Sequence, residues 1–170
     1  MQQRVDTVVI GGSAGSFTAL RSLLADLPDD LPAAVLICQH FSTIGESQAV
    51  DLLRGYSTLP VTLAEDGMEI LPGQIVFARP DVHVMLGHTH LHLRRGAHEN
   101  NFRPAIDPLF RSAAVYRGPR AIGVILSGLM DDGAAGARAL HRTGGHILVQ
   151  SPDSAEFPDM PNAAMTAVPE

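Results

Sequence analysis

The chain has 170 residues, 45% of them hydrophobic and 18% charged, which suits one globular domain with a real core and excludes a disordered chain. A net charge of −6 with no basic run argues against nucleic-acid binding, and a single cysteine excludes an internal disulfide and fits a reducing compartment. No apolar run approaches the ~18 residues of a membrane span and no basic-then-apolar leader opens the chain, so a soluble cytoplasmic protein without membrane insertion is expected.

Residues 7–10 form the first predicted strand. Val8-Val9-Ile10 runs into Gly11-Gly12-Ser13-Ala14-Gly15-Ser16, and a helix follows at once, with Phe17, Leu20, Leu23, Leu24 and Leu27 on one face. Pro28, Asp29, Asp30 and Pro32 break it. Ala33 to Cys38 predicts a second, fully buried strand, ending at Gln39-His40-Phe41. A helix over about 47–54 comes next. Val61-Thr62-Leu63 and the run Ile75 to Ala78 predict short strands. Val82 to Leu86 and His90 to Leu93 predict a hairpin around Gly87. These middle strands suggest a small antiparallel extension or an edge of the main sheet. After a loop from Asn100, Asp107-Pro108 predicts an N-cap with proline at the first helical position. That helix runs to about Tyr116 and stops at Gly118-Pro119. Ala121 to Leu126 predicts another buried strand, ending in Ser127-Gly128-Leu129-Met130-Asp131-Asp132-Gly133. A helix over 134–142, a strand over 147–150 and a helix over 161–167 complete the chain. Strand–helix alternation at both ends predicts an α/β fold, a doubly wound, mostly parallel sheet flanked by helices, with a short antiparallel hairpin extension.

The turn after the first strand has three readings. Gly11, Ser13 and Gly15 fit the G-x-S-x-G nucleophile turn. A dinucleotide or phosphate loop is disfavoured, because the G-x-G-x-x-G spacing and a following lysine are both absent. Plain structural punctuation is the third. Two further strands end in chemically capable residues, His40 and the pair Asp131-Asp132. In a parallel sheet all three ends lie on one edge. A serine, an imidazole and a carboxylate meeting there are the parts of an acyl-transfer triad. His40 would take the serine proton, and the carboxylate would fix the ring tautomer.

The motifs that carry these residues resemble the catalytic domain of the CheB-type chemotaxis protein-glutamate methylesterases. That family has a Gly-(Ala/Gly)-Ser-x-Gly turn, matched by Gly11 to Gly15. It has Gln-His after the second strand, matched by Gln39-His40. Its Arg-Pro-x-x-Asp before a helix is matched by Arg103 to Asp107. Its strand ending (Thr/Ser)-Gly-x-x-x-Asp-Gly is matched by Ser127 to Gly133. The four motifs occur in order over about residues 6–166. The resemblance implies the α/β fold and a serine hydrolase that demethylates glutamate γ-methyl esters on chemoreceptors, releasing methanol, and often deamidates receptor glutamines. It puts the nucleophile on Ser13, the base on His40 and the carboxylate on Asp132. Oxyanion or substrate contacts fall on Ala14, Leu129, Met130 and Arg103. The implied partners are methyl-accepting chemotaxis receptors or a similar methylated signalling protein, with a receiver domain or a methyltransferase in the same pathway. No cofactor and no metal are expected. Larger family members carry a receiver domain before the esterase. Nothing of that kind precedes Val8, so residues 1–170 are expected to form a single CheB-type domain without a receiver domain.

Some residues depart from the pattern. Ser16 stands where a second glycine is common, Gly128-Leu129-Met130 replaces Gly-Met-Gly, and Phe41 replaces Met. Altered loops at Phe41 and Met130 are the support for an alternative, a weakly active or non-catalytic regulatory module of the same fold. Arg103 either faces the substrate or holds its loop by hydrogen bonds. Met130 either lines the site or packs. Asp131 is expected to cap or to meet solvent rather than compete with Asp132. His83, His88, His90, His92 and His98 form a tempting metal cluster, but no acid or cysteine accompanies them at ligand spacing, and a solvated hairpin face is the better reading. Cys38 lies inside an apolar strand, where a thiol is inert packing.

Overall fold

The computed structural model describes residues 4–40 and 46–168. In chain order the elements are β1 (Thr7–Gly12), α1 (Phe17–Ala25), β2 (Ala34–Gln39), α2 (Glu46–Arg54), β3 (Val61–Leu63), β4 (Ile75–Phe77), β5 (His83–Leu86), β6 (Leu91–Arg94), α3 (Ile106–Tyr116), β7 (Ala121–Ile125), α4 (Ala134–Arg142), β8 (His146–Val149) and α5 (Asp159–Ala167). A single 3₁₀ turn, Gly118–Arg120, joins α3 to β7.

Six strands form one sheet in the order β3-β4-β2-β1-β7-β8, and every pairing is parallel. β5 and β6 pair antiparallel outside it, so β3 and β4 belong to the main sheet and only the hairpin is the extension. From β1 the chain winds toward β3 on one side and then returns to β7 and β8 on the other. The strand order therefore reverses beside β1, which is where ligand crevices open in such sheets.

Successive side chains of a strand point to opposite faces. Val9, Leu36 and Ile125 face α3 and α4, where they pack with Ile106, Phe110 and Leu140. Ile10, Val35, Ile37 and Val124 face the other layer, with Leu20 and Leu24 of α1 and Val50 and Leu53 of α2. Burial on both faces explains why β1 and β2 are continuous apolar runs rather than alternating ones. Leu20 and Leu24 are fully buried, and each contributes roughly 1.5–3 kcal/mol. They anchor α1 and so fix the turn that precedes it.

The start of α3 differs from the sequence expectation. Asp107 does not cap its own helix. The helix begins at Ile106, with Ala105 at the cap position. The N–H groups of Ile106 and Asp107 donate instead to the Asp132 carboxylate, at 2.7 and 3.1 Å. Asp107 in turn accepts from the N–H groups of Gly133 and Gly136 at the start of α4, at 3.1 and 2.6 Å. The start of α4 is thus capped by an aspartate of α3, and the start of α3 by the aspartate in the loop that leads into α4. Both carboxylates meet the positive end of a helix dipole, and that locks the β7–α4 loop against α3.

Candidate active site

Three strand ends meet at the reversal in strand order. β1 delivers Ser13, whose N–H donates to the Ser127 carbonyl beyond β7 at 2.9 Å. β2 delivers His40, whose N–H donates to the Gly12 carbonyl at 3.0 Å. The Gln39 amide donates to the Ser13 carbonyl at 2.9 Å and ties the two ends together. Gly15 turns the chain into α1 with φ +72°, a conformation that costs glycine nothing. Gly128 lets β7's loop pass close behind the serine. A Cβ there would lie 2.8 Å from Ser13 Cβ and 2.1 Å from Met160 Sδ.

His40 Nδ1 lies 3.2 Å from Ser13 Oγ. On the far side of the ring, Nε2 lies 2.9 Å from Asp132 Oδ2. That second contact has the distance of an ion pair, but it lacks the alignment of a hydrogen bond, and Nε2 has no other partner among the described residues. The anionic side favours a proton on Nε2, which leaves the Nδ1 lone pair facing the serine hydroxyl. The pair is almost dry, with side-chain exposures of 5% and 0%. A contact that is bent before substrate arrives can straighten as the ring takes a proton.

Asn100 and Phe102 support His40 and Asp132 from a tight turn where the sequence predicts only a loop. Glu99 and Phe102 form an antiparallel bridge, and the two residues between them, Asn100 and Asn101, have φ of +51° and +69°. Two adjacent left-handed residues make a turn of the I′ type. Paired asparagines, which tolerate that conformation, were the signal in the sequence. The Asn100 amide donates to Asp132 Oδ1 at 2.7 Å and to Asp107 Oδ2 at 2.8 Å, bridging two like charges. The Phe102 ring stacks on the His40 ring, with centroids 3.6 Å apart and planes 10° from parallel. One turn therefore holds the Asp132 carboxylate with one side chain and the His40 ring with another. Asn100→Gly keeps the backbone conformation and removes the amide. It is expected to lower kcat about tenfold and stability by about 1–2 kcal/mol, measured by steady-state kinetics and thermal melting.

Burial pushes the Asp132 carboxyl up, but the His40 ring, the Ile106 N–H and the Asn100 amide outweigh it and hold the group below the usual carboxylate range. Burial dominates at Asp107 and raises it, with the Asp132 charge adding to the rise. The signs differ accordingly. Asp132 ionisation contributes stability that is present above the ordinary aspartate pKa of about 3.9 and is lost as pH falls through its lower folded value. Asp107 ionisation costs stability, and acid relieves that cost. Comparing wild type with Asp132→Asn removes the burial part of the Asp107 contribution, which is common to both, while the part added by the Asp132 charge is relieved first, as Asp107 protonates above the ordinary aspartate value. The melting-temperature gap between them is expected to narrow as pH falls below about 4. A gap that stays constant contradicts this assignment.

The sequence model of the CheB methylesterase family matches residues 8–169. The chain belongs to the CheB methylesterase family. It is similar to the Thermotoga maritima CheB methylesterase catalytic domain, with a TM-score of 0.92 and 30% identity over 96% of this chain and 89% of that one. It is 39% identical to protein-glutamate methylesterase/protein-glutamine glutaminase 4 of Myxococcus xanthus (strain DK1622), over 96% of this chain and 47% of that protein. It is 37% identical to the protein of that name without a numeral from Yersinia pestis, over 93% of this chain and 46% of that protein. The chain spans about half the length of the curated relatives it matches.

Among the departures from the CheB methylesterase pattern, Ser16 has a visible local reason and Met130 has none. The Ser16 hydroxyl is fully buried and lies 2.7 Å from the Ser13 carbonyl and 2.6 Å from Gln39 Oε1, so it braces the serine turn. Met130 adopts φ +67°, the conformation that favours glycine, and is 48% exposed. Phe41 lies outside the described residues. Arg103 holds its loop. Its guanidinium donates to Asp81 through Nε at 2.9 Å and through a second, shorter contact, and to the Gly96 carbonyl at 2.8 Å. Ala14 and Leu129 carry backbone N–H groups with no acceptor among the described residues. The Met130 N–H faces Asp159 Oδ2 at 3.5 Å. Asp131 is exposed, and its carbonyl rather than its carboxylate receives the Ala134 N–H.

The histidines disperse. His83 is buried, with Nε2 at 2.7 Å from the Ala97 carbonyl and Nδ1 accepting from the Ala105 N–H. His88 meets the Tyr116 ring edge-on, and His90 pairs with Thr89. Among the described residues no group of three His, Cys, Asp or Glu side chains is placed to hold a metal ion. Cys38 is 1% exposed in β2, and burial pushes its thiol well up, which keeps it protonated and unreactive. Among the described residues no helix is long and apolar enough to cross a membrane.

Proposed function

We propose that the chain hydrolyses glutamate γ-methyl esters on methylated signalling proteins, chemoreceptors foremost. The observation that carries this is the continuous Ser13–His40–Asp132 contact line at the sheet edge. Ser13 Oγ attacks the ester carbonyl as its proton moves to His40 Nδ1. Asp132 balances the imidazolium charge from the opposite side of the ring. The N–H groups of Ala14 and Leu129, without an acceptor among the described residues, are the donors proposed for the oxyanion of the tetrahedral intermediate. His40 then passes the proton to the departing methoxide, and methanol leaves a γ-glutamyl ester on Ser13. Water, deprotonated by the same Nδ1, releases the glutamate carboxylate and restores the serine. An amide can follow the same course with ammonia as the leaving group, and the curated relatives are named for both esters and glutamines. We place the reaction in the cytoplasm, where a methyltransferase supplies the ester and a receiver domain supplies control.

Membranes bearing receptors with labelled methyl groups test the proposal. Wild-type protein is expected to release labelled methanol at a rate proportional to enzyme concentration. A folded protein that binds the membranes without releasing methanol would favour the non-catalytic module.

A further inference from the structure

Leu129 and Met130 are the only neighbours in sequence among the exposed large hydrophobics of the described residues, at 46% and 48% exposure. They sit on the loop that spans the triad. Gly128, before them, is pressed against Ser13, and Asp132, just beyond them, meets His40. Met130 holds φ +67°. Glycine takes that conformation freely, and a side chain makes it unfavourable. Nothing the backbone does here needs the side chain. The contact from the Met130 N–H to Asp159 at 3.5 Å would be the same with glycine. Nor does burial compensate, since about half the residue's surface meets solvent. Strain retained beside the Ser13 turn, at a residue that stays 48% exposed among the described residues, points to a partner outside the fold.

We infer that Met130, with Leu129 beside it, is a specificity-determining contact for an aliphatic side chain flanking the esterified glutamate of the substrate. This deepens the hydrolase reading and rests on it. The flexible thioether can follow several aliphatic shapes, and docking removes two exposed apolar side chains from water. On a helical substrate, residues one turn from the ester share its face and reach this pair.

The test is binding of a fluorescent, helix-forming peptide that carries one glutamate γ-methyl ester, with leucines or with serines one turn to either side. In a Ser13→Ala background the ester survives the measurement. The leucine peptide is expected to bind about tenfold more tightly than the serine peptide. Adding Met130→Gly is expected to abolish that preference while leaving the melting temperature unchanged or raised. Met130→Leu is expected to retain it. Equal weakening of both peptides by Met130→Gly, or no weakening, overturns the inference. So does self-association of the wild type that Met130→Gly abolishes, since the pair would then be covered by a second copy. Met130-dependent preference in a protein that releases no methanol from the peptide would sustain the contact while the hydrolase reading failed.

Discussion

Ser13→Ala is expected to lower kcat for ester hydrolysis by about a millionfold, with little change in melting temperature. Among the described residues the Oγ has one side-chain hydrogen-bond partner, His40 Nδ1 at 3.2 Å, and in the proposed mechanism that contact carries the proton rather than bracing the turn. What braces the turn is the backbone. The Ser13 N–H meets the Ser127 carbonyl, and the Ser13 carbonyl receives Gln39 and Ser16. None of these bonds uses the hydroxyl. Circular dichroism and thermal melting should therefore match wild type while methanol release disappears. Cys38→Ala should leave kcat within about twofold, because the thiol is buried and held protonated.

Asp132→Asn is expected to lower kcat by about ten-thousandfold and to reduce stability as well. Its carboxylate accepts three hydrogen bonds, from Ile106, Asp107 and Asn100, and lies 2.9 Å from His40 Nε2. An asparagine keeps the volume. It loses the charge that faces the imidazolium and the charge at the start of α3, and its amide presents N–H groups where only acceptors fit. The catalytic loss exceeds that of Asn100→Gly because Asp132 meets the ring directly, whereas Asn100 acts only through it. The stability loss is about 1–3 kcal/mol at neutral pH, since a buried donor at Ile106 or Asp107 is left poorly paired. Urea titration with kinetics on the same samples separates the two effects.

Much of this was legible in the residues. Short apolar runs bounded by turn residues, such as Val8-Val9-Ile10 and Ala33 to Cys38, predict strands buried on both faces, and a parallel sheet puts their ends on one edge. That placement offers Ser13, His40 and the pair Asp131-Asp132, and the resemblance to the CheB methylesterases is what points to Asp132 within the pair. The cross-capping was not legible. Asp107-Pro108 has the local chemistry of a self-cap, and only the tertiary approach of α4 diverts the carboxylate to Gly133 and Gly136. The Phe102–His40 stack was hidden for the same reason, because it joins residues far apart in the chain through a turn whose asparagines gave only a local signal. Which nitrogen of His40 faces the serine is likewise set by the approach of β2 to the β7–α4 loop. Arg103, open between two roles in the sequence, is held in its loop by Asp81, a neighbour no motif announced.

The most direct measurement is rapid-quench mass spectrometry of the protein turning over p-nitrophenyl acetate. Covalent catalysis at the β1 turn predicts a transient acetyl group on the peptide containing Ser13, absent from Ser13→Ala and depleted when His40 is replaced by alanine. An acetyl group on the Cys38 peptide, or steady turnover by Ser13→Ala with no adduct anywhere, would contradict it.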